Sequence, residues 1–166
     1  LTNVLLVTSI IFIEALVLQF LAVSSKFLIF LPESIIGTDI LEISRIDKIL
    51  KKYNQTFVGR IFGTNEIKII ENKSKNISLF LGKRFAAKEA VWKALSPKRG
   101  DGLVFKEIEI LNNLNGKPYL FFSGRTQKYI MNKEIELNNK LIFDISISDE
   151  PPYVLAFVVI SLAPLV

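Results

Sequence analysis

The sequence predicts an α+β domain in which helices pack on a mainly antiparallel sheet. It has 166 residues, of which 50% are hydrophobic and 22% are charged, so one buried core is expected and two large domains are not. After residue 34, apolar residues recur at helical spacing in the first half, whereas alternation and turn residues dominate the second half. Helices grouped ahead of a run of strands are typical of the α+β class.

The first half is predicted to hold one strand and then mainly helices. The strand, residues 34–43, is rich in β-branched residues and follows Pro32. Helices are expected at 44–53, at 65–71 after Thr64, and at 77–95 before Ser96-Pro97, with a further turn or two at 57–62. Residues 72–76 are expected to form a loop.

The second half is predicted to be a meander of strands with one short helix. Asn115-Gly116 is a strong hairpin signal because both residue types tolerate the left-handed backbone of a tight turn. Strands are expected at 103–111, 119–122, 141–147 and 154–162, and a short helix at 126–131. Asp149-Glu150-Pro151-Pro152 is expected to connect the last two strands.

The first 34 residues, called the apolar lead below, contain only three charged side chains, Glu14, Lys26 and Glu33. Residues 35–166 therefore hold 20 basic and 14 acidic side chains, a net charge of +6. The run from Val4 to Val23 has the length of a bilayer span, yet Glu14 lies in its middle, where a carboxylate is costly. We favour a dispensable or wrongly included extension over a membrane anchor, and an anchor over a cleaved signal peptide. Residues 35–166 are the predicted domain, expected in the cytoplasm, with membrane association only if the apolar lead is a real anchor.

Missing residue types exclude several kinds of site. The chain has no cysteine and no histidine, which removes disulfides, zinc-thiolate sites and imidazole-dependent catalysis. Any metal must then be held by carboxylate oxygens, which favours a hard cation such as Mg²⁺. The net charge of +5 suits an acidic partner or a phosphorylated substrate. Phosphate-loop and dinucleotide motifs are missing, as is the aromatic and basic pattern of an RNA-binding domain, so no nucleic-acid partner is expected.

A few charged residues could carry chemistry, although their spacing alone favours ordinary roles. Glu89 and Lys93 are four residues apart on one helix face, which by itself indicates an exposed ion pair. Asp39 lies among apolar strand residues, where a turn-capping carboxylate is commoner than a metal ligand. Arg84 and Lys88 are also four apart; a nearby anion would explain two like charges, and so would solvent.

Two segments together resemble the signatures of a known family. Residues 37–46 (GTDILEISRI) and 84–94 (RFAAKEAVWKA) closely resemble the signature segments of holo-acyl-carrier-protein synthases, the small bacterial 4′-phosphopantetheinyl transferases. The resemblance continues through Arg60-Ile61-Phe62, Glu66, residues 115–118 and residues 145–158, and it covers essentially all of 35–162 in the expected order.

The resemblance implies an activity, a cofactor and partners. Such enzymes transfer the 4′-phosphopantetheine group of coenzyme A to a serine of apo acyl carrier protein and release adenosine 3′,5′-bisphosphate. Their fold is the 4′-phosphopantetheinyl transferase-like fold, and a homotrimer is expected. By resemblance, Asp39 and Glu89 would bind Mg²⁺ and Glu89 and Lys93 would be catalytic. Coenzyme A would be bound by Arg84, Lys88, Lys93 and Asp149, and the acidic carrier protein by the basic face that holds Arg45 and Lys48.

The chain departs from the family pattern in four places. Ser34 replaces a common glycine, residues 95–100 replace a glycine-rich turn, Trp92 replaces a frequent small residue, and Asp149 replaces a usual histidine. Two interpretations of Asp149 stay open: Lys98 and Arg99 compensate for its charge, or it caps the turn at 150–152. Two alternatives to the enzyme also stay open, namely a carrier-binding module without catalysis and a membrane-anchored basic protein.

Overall fold

The computed structural model of the protein describes residues 34–72 and 76–165. Of the apolar lead, only its last residue, Ser34, belongs to the described residues. The three interpretations of the lead therefore concern residues outside the described part of the chain. No helix in the described part of the chain is long and apolar enough to span a membrane.

After one opening strand, the first half is mainly helical and the second half is mainly strands with one helix, which confirms the predicted α+β class. The helices are α1 (Ile43–Ile61), α2 (Thr64–Glu71), α3 (Ile77–Leu95) and α4 (Gly124–Leu137). The strands are β1 (Ser34–Glu42), β2 (Ile108–Asn112), β3 (Pro118–Phe122), β4 (Asn139–Glu150) and β5 (Tyr153–Pro164), with a short 3₁₀ turn at Phe105–Glu107 ahead of β2.

The strands form two antiparallel sheets. The larger has the order β1-β5-β4, and its register places Asp39 opposite Ala156. The smaller is the hairpin β2-β3, which turns at Asn115-Gly116 as predicted. Gly116 has φ +81°, a left-handed conformation that favours glycine, and its N–H donates to the Asn113 carbonyl at 2.9 Å.

Helix α3 and the inner face of the larger sheet form the centre of the core. Alternate residues of β5 are buried, with Val154, Ala156, Val158 and Ile160 at 0% exposure, because successive side chains of a strand point to opposite faces of the sheet. Along α3 the buried side chains include Ala86, Ala87, Ala90 and Ala94. Small side chains let a helix approach a sheet closely, so α3 is held near the strands that carry the site.

Three elements differ from the predicted ones. Helix α1 covers both predicted segments, 44–53 and 57–62, as two helical stretches joined at a kink, where the backbone of Asn54 is not helical (φ 13°, ψ −100°). Helix α4 is longer than predicted and ends where Asn138 takes a left-handed conformation. Strand β2 begins only at Ile108, because the backbone of Phe105–Glu107 forms a 3₁₀ turn instead of pairing as a strand.

Candidate active site

Asp39, Lys93 and Glu89 meet where β1 passes α3. The Lys93 ammonium donates to Asp39 Oδ1 at 2.8 Å and to the Thr38 carbonyl at 3.0 Å. Glu89 lies one turn before Lys93 on the same face of α3. Lys93 therefore pairs with the strand carboxylate rather than forming the isolated Glu89–Lys93 pair that helical spacing favoured. Asp39 is not a turn cap either, since it lies inside β1.

The close approach of β1 to α3 depends on Gly37. A Cβ built on Gly37 would lie 2.0 Å from the Ala90 carbonyl oxygen and 2.7 Å from the Ala94 nitrogen, far inside contact distance. Only glycine fits there, and the alanines opposite it leave the helix backbone within reach. Because Asp39 is two residues beyond Gly37 on the strand, this contact sets how near the Asp39 carboxylate lies to Glu89.

The electrostatics of Glu89 show that the two carboxylates act on each other. Partial burial raises the pKa of Glu89 above its ordinary value, and the charge of Asp39 raises it further. Lys93 and Arg45 act in the opposite direction on the pKa of Glu89. The two carboxylates repel each other, and a cation placed between them would relieve that repulsion.

Arg84 is buried and its hydrogen bonding is incomplete. Its guanidinium lies over the Phe80 ring, with Cζ 3.5 Å from the ring centroid, and Nη2 donates to Asn112 Oδ1 at 3.1 Å. Arg84 Nε has no hydrogen-bond partner within the described residues. Burial lowers the pKa of Arg84 to about 10, against the opposing attraction of Glu66. A buried guanidinium with an unmet donor is able to hold an anion, which is consistent with the predicted phosphate role.

Lys88 is placed differently from the prediction that it binds coenzyme A. Its side chain is fully buried and its ammonium forms an ion pair with Glu66 Oε2 at 2.7 Å. The same ammonium donates to the carbonyls of Phe105 (3.1 Å) and Ile108. All three donors are used inside the core, so we do not retain Lys88 among the coenzyme ligands.

Asp149 also has a different neighbourhood from either interpretation offered by the sequence. It lies in β4 opposite Val154, and its carboxylate forms an ion pair with Lys83 of α3. Lys98, in contrast, belongs to a local turn in which its N–H donates to Asp101 Oδ2 at 2.7 Å. The compensating cation is therefore Lys83, and Asp149 does not cap the Pro151-Pro152 turn.

The predicted partner-binding residues lie on the exposed side of α1. Arg45 and Lys48 are both exposed, and Arg45 is near enough to the carboxylates to lower the pKa of Glu89. The structure thus places the basic face of α1 beside the Asp39, Glu89 and Lys93 cluster.

Comparison with known proteins shows the family. Residues 35–157 match the 4′-phosphopantetheinyl transferase superfamily. The chain belongs to this superfamily. The holo-[acyl-carrier-protein] synthase of Orientia tsutsugamushi (strain Boryong) is 42% identical over 127 residues, which cover 76% of this chain and 95% of that protein.

Solved structures of superfamily members agree with the fold. The crystal structure of holo-[acyl-carrier-protein] synthase from Neisseria meningitidis has a TM-score of 0.67 and 35% identity, covering 76% of this chain and 96% of that one. The Helicobacter pylori synthase in complex with coenzyme A has a TM-score of 0.60 and 31% identity, covering 76% of this chain and 99% of that one. The predicted family and fold are confirmed.

Sequence reasoning gave no role to two residues that matter to this domain, Lys83 and Glu66. Lys83 forms an ion pair with Asp149. The sequence could not predict this pair, because the position of a residue on a helix does not show which strand end its side chain contacts. Glu66 is fully buried; besides the Lys88 ammonium, it accepts the N–H groups of Gly63 (3.0 Å) and Ile110 (3.1 Å). The signal that could have indicated the capping role of Glu66 is its position three residues after Gly63, at the start of a helix.

Proposed function

We propose that the chain transfers the 4′-phosphopantetheine group of coenzyme A to a serine of apo acyl carrier protein, releasing adenosine 3′,5′-bisphosphate. The observation that carries the proposal is the meeting of Asp39 with Glu89 and Lys93, which joins the two signature segments in one cluster. The relatives reported above are named holo-[acyl-carrier-protein] synthases, and their names and the coenzyme A complex of the H. pylori protein support the same reaction.

We further propose Mg²⁺ as the cofactor, held by Asp39 and Glu89. Their carboxylates fit a hard cation, and the effect of Asp39 on the pKa of Glu89 indicates that a cation between them would relieve repulsion. Within the described residues no group of three or more acidic, histidine or cysteine side chains could hold a metal. Water and phosphate oxygens would therefore complete the coordination, as is usual for Mg²⁺. When bound, the ion would neutralise the negative charge that develops on the pyrophosphate.

The side chains around the carboxylates supply the remaining chemistry. The serine oxygen forms a bond to the β-phosphorus of coenzyme A, and the bond from that phosphorus to the bridging oxygen breaks, with adenosine 3′,5′-bisphosphate as the leaving group. A carboxylate is the proposed acceptor of the serine proton because the chain has no histidine, and Glu89 is the candidate because it lies on α3 one turn before Lys93. Lys93 is half exposed, at 52%, and can turn from Asp39 to the phosphates, where its charge favours the transition state.

The coenzyme phosphates would be held by Arg84 and, at the β4 end of the site, by Lys83 together with Asp149. An aspartate alone would repel a phosphate, but the ion pair with Lys83 cancels its charge. Replacement of Lys83 by Ala should weaken coenzyme A binding in the wild-type background and much less so after Asp149→Asn. Equal loss in both backgrounds would mean that Asp149 has no part in the site.

The basic face of α1, with Arg45 and Lys48, is the proposed docking surface for the carrier protein. Opposite charges steer association, so the KM for the carrier should rise with ionic strength, whereas the KM for coenzyme A should respond less. Coenzyme A and apo carrier protein meet in the cytoplasm, which is the location we propose.

The outer face of the larger sheet suits the proposed homotrimer. Ile36, Ile40, Leu155 and Phe157 project from β1 and β5 with exposures of 38% to 63%, and Ile40 lies opposite Leu155 in the register. An exposed apolar sheet face of this kind marks an interface. Ile40→Lys should shift the oligomer towards monomer in analytical ultracentrifugation.

Asp39→Ala and Glu89→Ala test the proposed function. Each should abolish transfer in an assay that follows the mass of the carrier protein, while the fold, followed by circular dichroism, survives. Asp144→Ala is the matched control, since Asp144 is an exposed carboxylate on β4 whose ion pair with Lys117 is loose at 3.7 Å. A folded Asp39 or Glu89 variant with wild-type activity would overturn the assignment.

A further inference from the structure

Lys88 and Glu66 form a fully buried ion pair that takes no part in the chemistry proposed above. Both side chains have 0% exposure, and the Lys88 ammonium lies 2.7 Å from Glu66 Oε2. Taking two charges out of water is costly, and their mutual attraction often does no more than balance that cost. Two apolar side chains of similar volume would fill the same space without it, so fold stability alone does not account for the pair.

The Lys88 ammonium joins four elements at one point. It donates to the carbonyls of Phe105 (3.1 Å) and Ile108, so it holds the 3₁₀ turn at its first residue and at the residue that follows it. Its partner Glu66 belongs to α2 and accepts the Ile110 N–H of β2 at 3.1 Å. Helix α3 is thereby attached through one side chain to the 3₁₀ turn, to β2 and to α2.

Lys88 and Gly37 hold α3 from nearly opposite sides. With about 100° of rotation per residue, Lys88 lies about 160° around the helix from Ala90, whose carbonyl oxygen faces Gly37. Glu89 lies between these two contacts, about 100° from each of them. Fixed contacts on both flanks restrict the rotation and sliding of α3, so they set where Glu89 lies relative to Asp39.

The 3₁₀ turn also carries Phe105, whose ring covers the helix face beside Glu89. Trp92 stacks on Phe105 with centroids 5.1 Å apart and planes inclined by 23°, and Phe85 stacks on it at 6.1 Å and 25°. Phe85, Glu89 and Trp92 are spaced i, i+4 and i+7 along α3, so they lie on one face of the helix. The rings occupy the flank of Glu89 that is turned away from Lys93. The Glu89 carboxylate is therefore left the flank on which Lys93 lies.

We propose that Lys88 is a positioning residue for the reaction, because its buried pair with Glu66 fixes α3 and the Phe105 turn so that Glu89 faces Asp39. Lys88 touches neither the substrates nor the metal, and it acts on Glu89 through Phe105. The proposal rests on the proposed transferase function and on the proposed Mg²⁺ site, and it adds a residue to which neither gives a role.

Metal binding without substrates tests this role independently of activity. Mn²⁺ accepts the same oxygen ligands as Mg²⁺, and its binding can be followed by electron paramagnetic resonance. Lys88→Met keeps an unbranched side chain of similar length and removes the ammonium. It should weaken Mn²⁺ binding about tenfold, as expected when a residue that orients metal ligands from outside is lost. A folded Lys88→Met chain with wild-type Mn²⁺ affinity would overturn the proposal.

A second variant keeps the test open if Lys88→Met does not fold. Lys88→Met combined with Glu66→Gln leaves no buried charge unpaired, and the glutamine keeps an oxygen for the Ile110 N–H. It should fold and show the same tenfold loss of Mn²⁺ affinity; wild-type affinity would mean that the pair only supports the core. Lys133→Met, which removes an exposed ion pair with Glu136, is the control and should bind Mn²⁺ as the wild type does.

A double-mutant cycle tests whether Lys88 acts through Phe105. Phe105→Leu keeps an apolar side chain in the turn and removes the stacked ring. Each of Lys88→Met and Phe105→Leu should lower kcat about tenfold, and their combination should also lower it about tenfold, because both remove the same restraint on Glu89. Losses that multiply to about a hundredfold would show two independent effects and overturn the proposed action through Phe105.

The wild-type chain distinguishes the two levels of the proposal. If it transfers phosphopantetheine to the carrier protein while the Lys88 variants keep wild-type Mn²⁺ affinity, the positioning role is wrong and the function stands. If it transfers nothing to the carrier, the function itself fails, whereas the Mn²⁺ measurement still shows whether Lys88 positions the carboxylates. A wild-type chain that binds no Mn²⁺ would overturn both the metal site and the positioning role.

Discussion

Replacing Gly37 by alanine should separate β1 from α3 and disable the site without touching a charged residue. The added Cβ would lie 2.0 Å from the Ala90 carbonyl oxygen, whereas ordinary contacts begin near 3.4 Å, so the elements must part by about 1.4 Å. Overpacking of this kind typically costs about 1–3 kcal/mol of folding stability. A shift of about 1 Å in a reacting group can cost on the order of 100-fold in rate, so kcat/KM should fall at least that far.

Two measurements check this prediction, and a second glycine provides the control. Urea denaturation gives the loss of stability, and the rate of carrier modification at saturating coenzyme A gives the loss of activity. A Cβ on Gly59 meets nothing within 4 Å, so Gly59→Ala in helix α1 should leave activity unchanged and stabilise the fold by about 0.5–1 kcal/mol. If Gly37→Ala keeps wild-type kcat/KM, the contact between β1 and α3 does not set the position of Asp39, and the reasoning fails.

Two further predictions concern buried and partly buried charge. Lys88→Ala should destabilise the fold by about 3–5 kcal/mol because it leaves Glu66 buried without its ion-pair partner; Lys133→Ala, in an exposed pair with Glu136, should hardly move the urea midpoint. Glu89 has a pKa raised by folding, so its stabilising contribution is present below the unfolded-state pKa and is lost as the pH rises through the folded value. Without divalent cations, Glu89→Gln should therefore be more stable than wild type at pH 7, with the difference vanishing towards pH 4; a constant difference across this range would contradict the pKa shift.

The sequence predicted the elements well wherever one periodicity held along a whole element. Strand β5 alternates buried and exposed residues over most of its length, and the helical run of α3 begins and ends where predicted. Predictions were less accurate where a distant partner decides the outcome. Strand β4 extends through Asp149 because β5 pairs with it as far as Tyr153. The turn residues at this point of the sequence do not indicate that pairing.

The predictions for the site residues were likewise less accurate where a distant partner decides the outcome. The resemblance selected Asp39 and Lys93, which are 54 positions apart and which spacing alone could not join. The sequence placed Lys88 at the coenzyme, whereas the structure places it in the core. Helix α3 is buried on most of its circumference, so the sequence does not show which of its polar residues reach solvent. Its partner Glu66 belongs to another helix, and only the packed core shows that the two charges satisfy each other.

The most direct test of the proposed function is the mass of the carrier protein itself. The full chain, incubated with Mg²⁺, coenzyme A and an apo acyl carrier protein, should increase the carrier mass by one phosphopantetheine group and release one adenosine 3′,5′-bisphosphate per carrier. A carrier with its acceptor serine replaced by alanine should stay unmodified. The wild-type carrier should also stay unmodified when a chelator removes Mg²⁺. An unchanged wild-type carrier, with the chain folded and bound to coenzyme A, would contradict the proposed transferase and favour a carrier-binding module without catalysis.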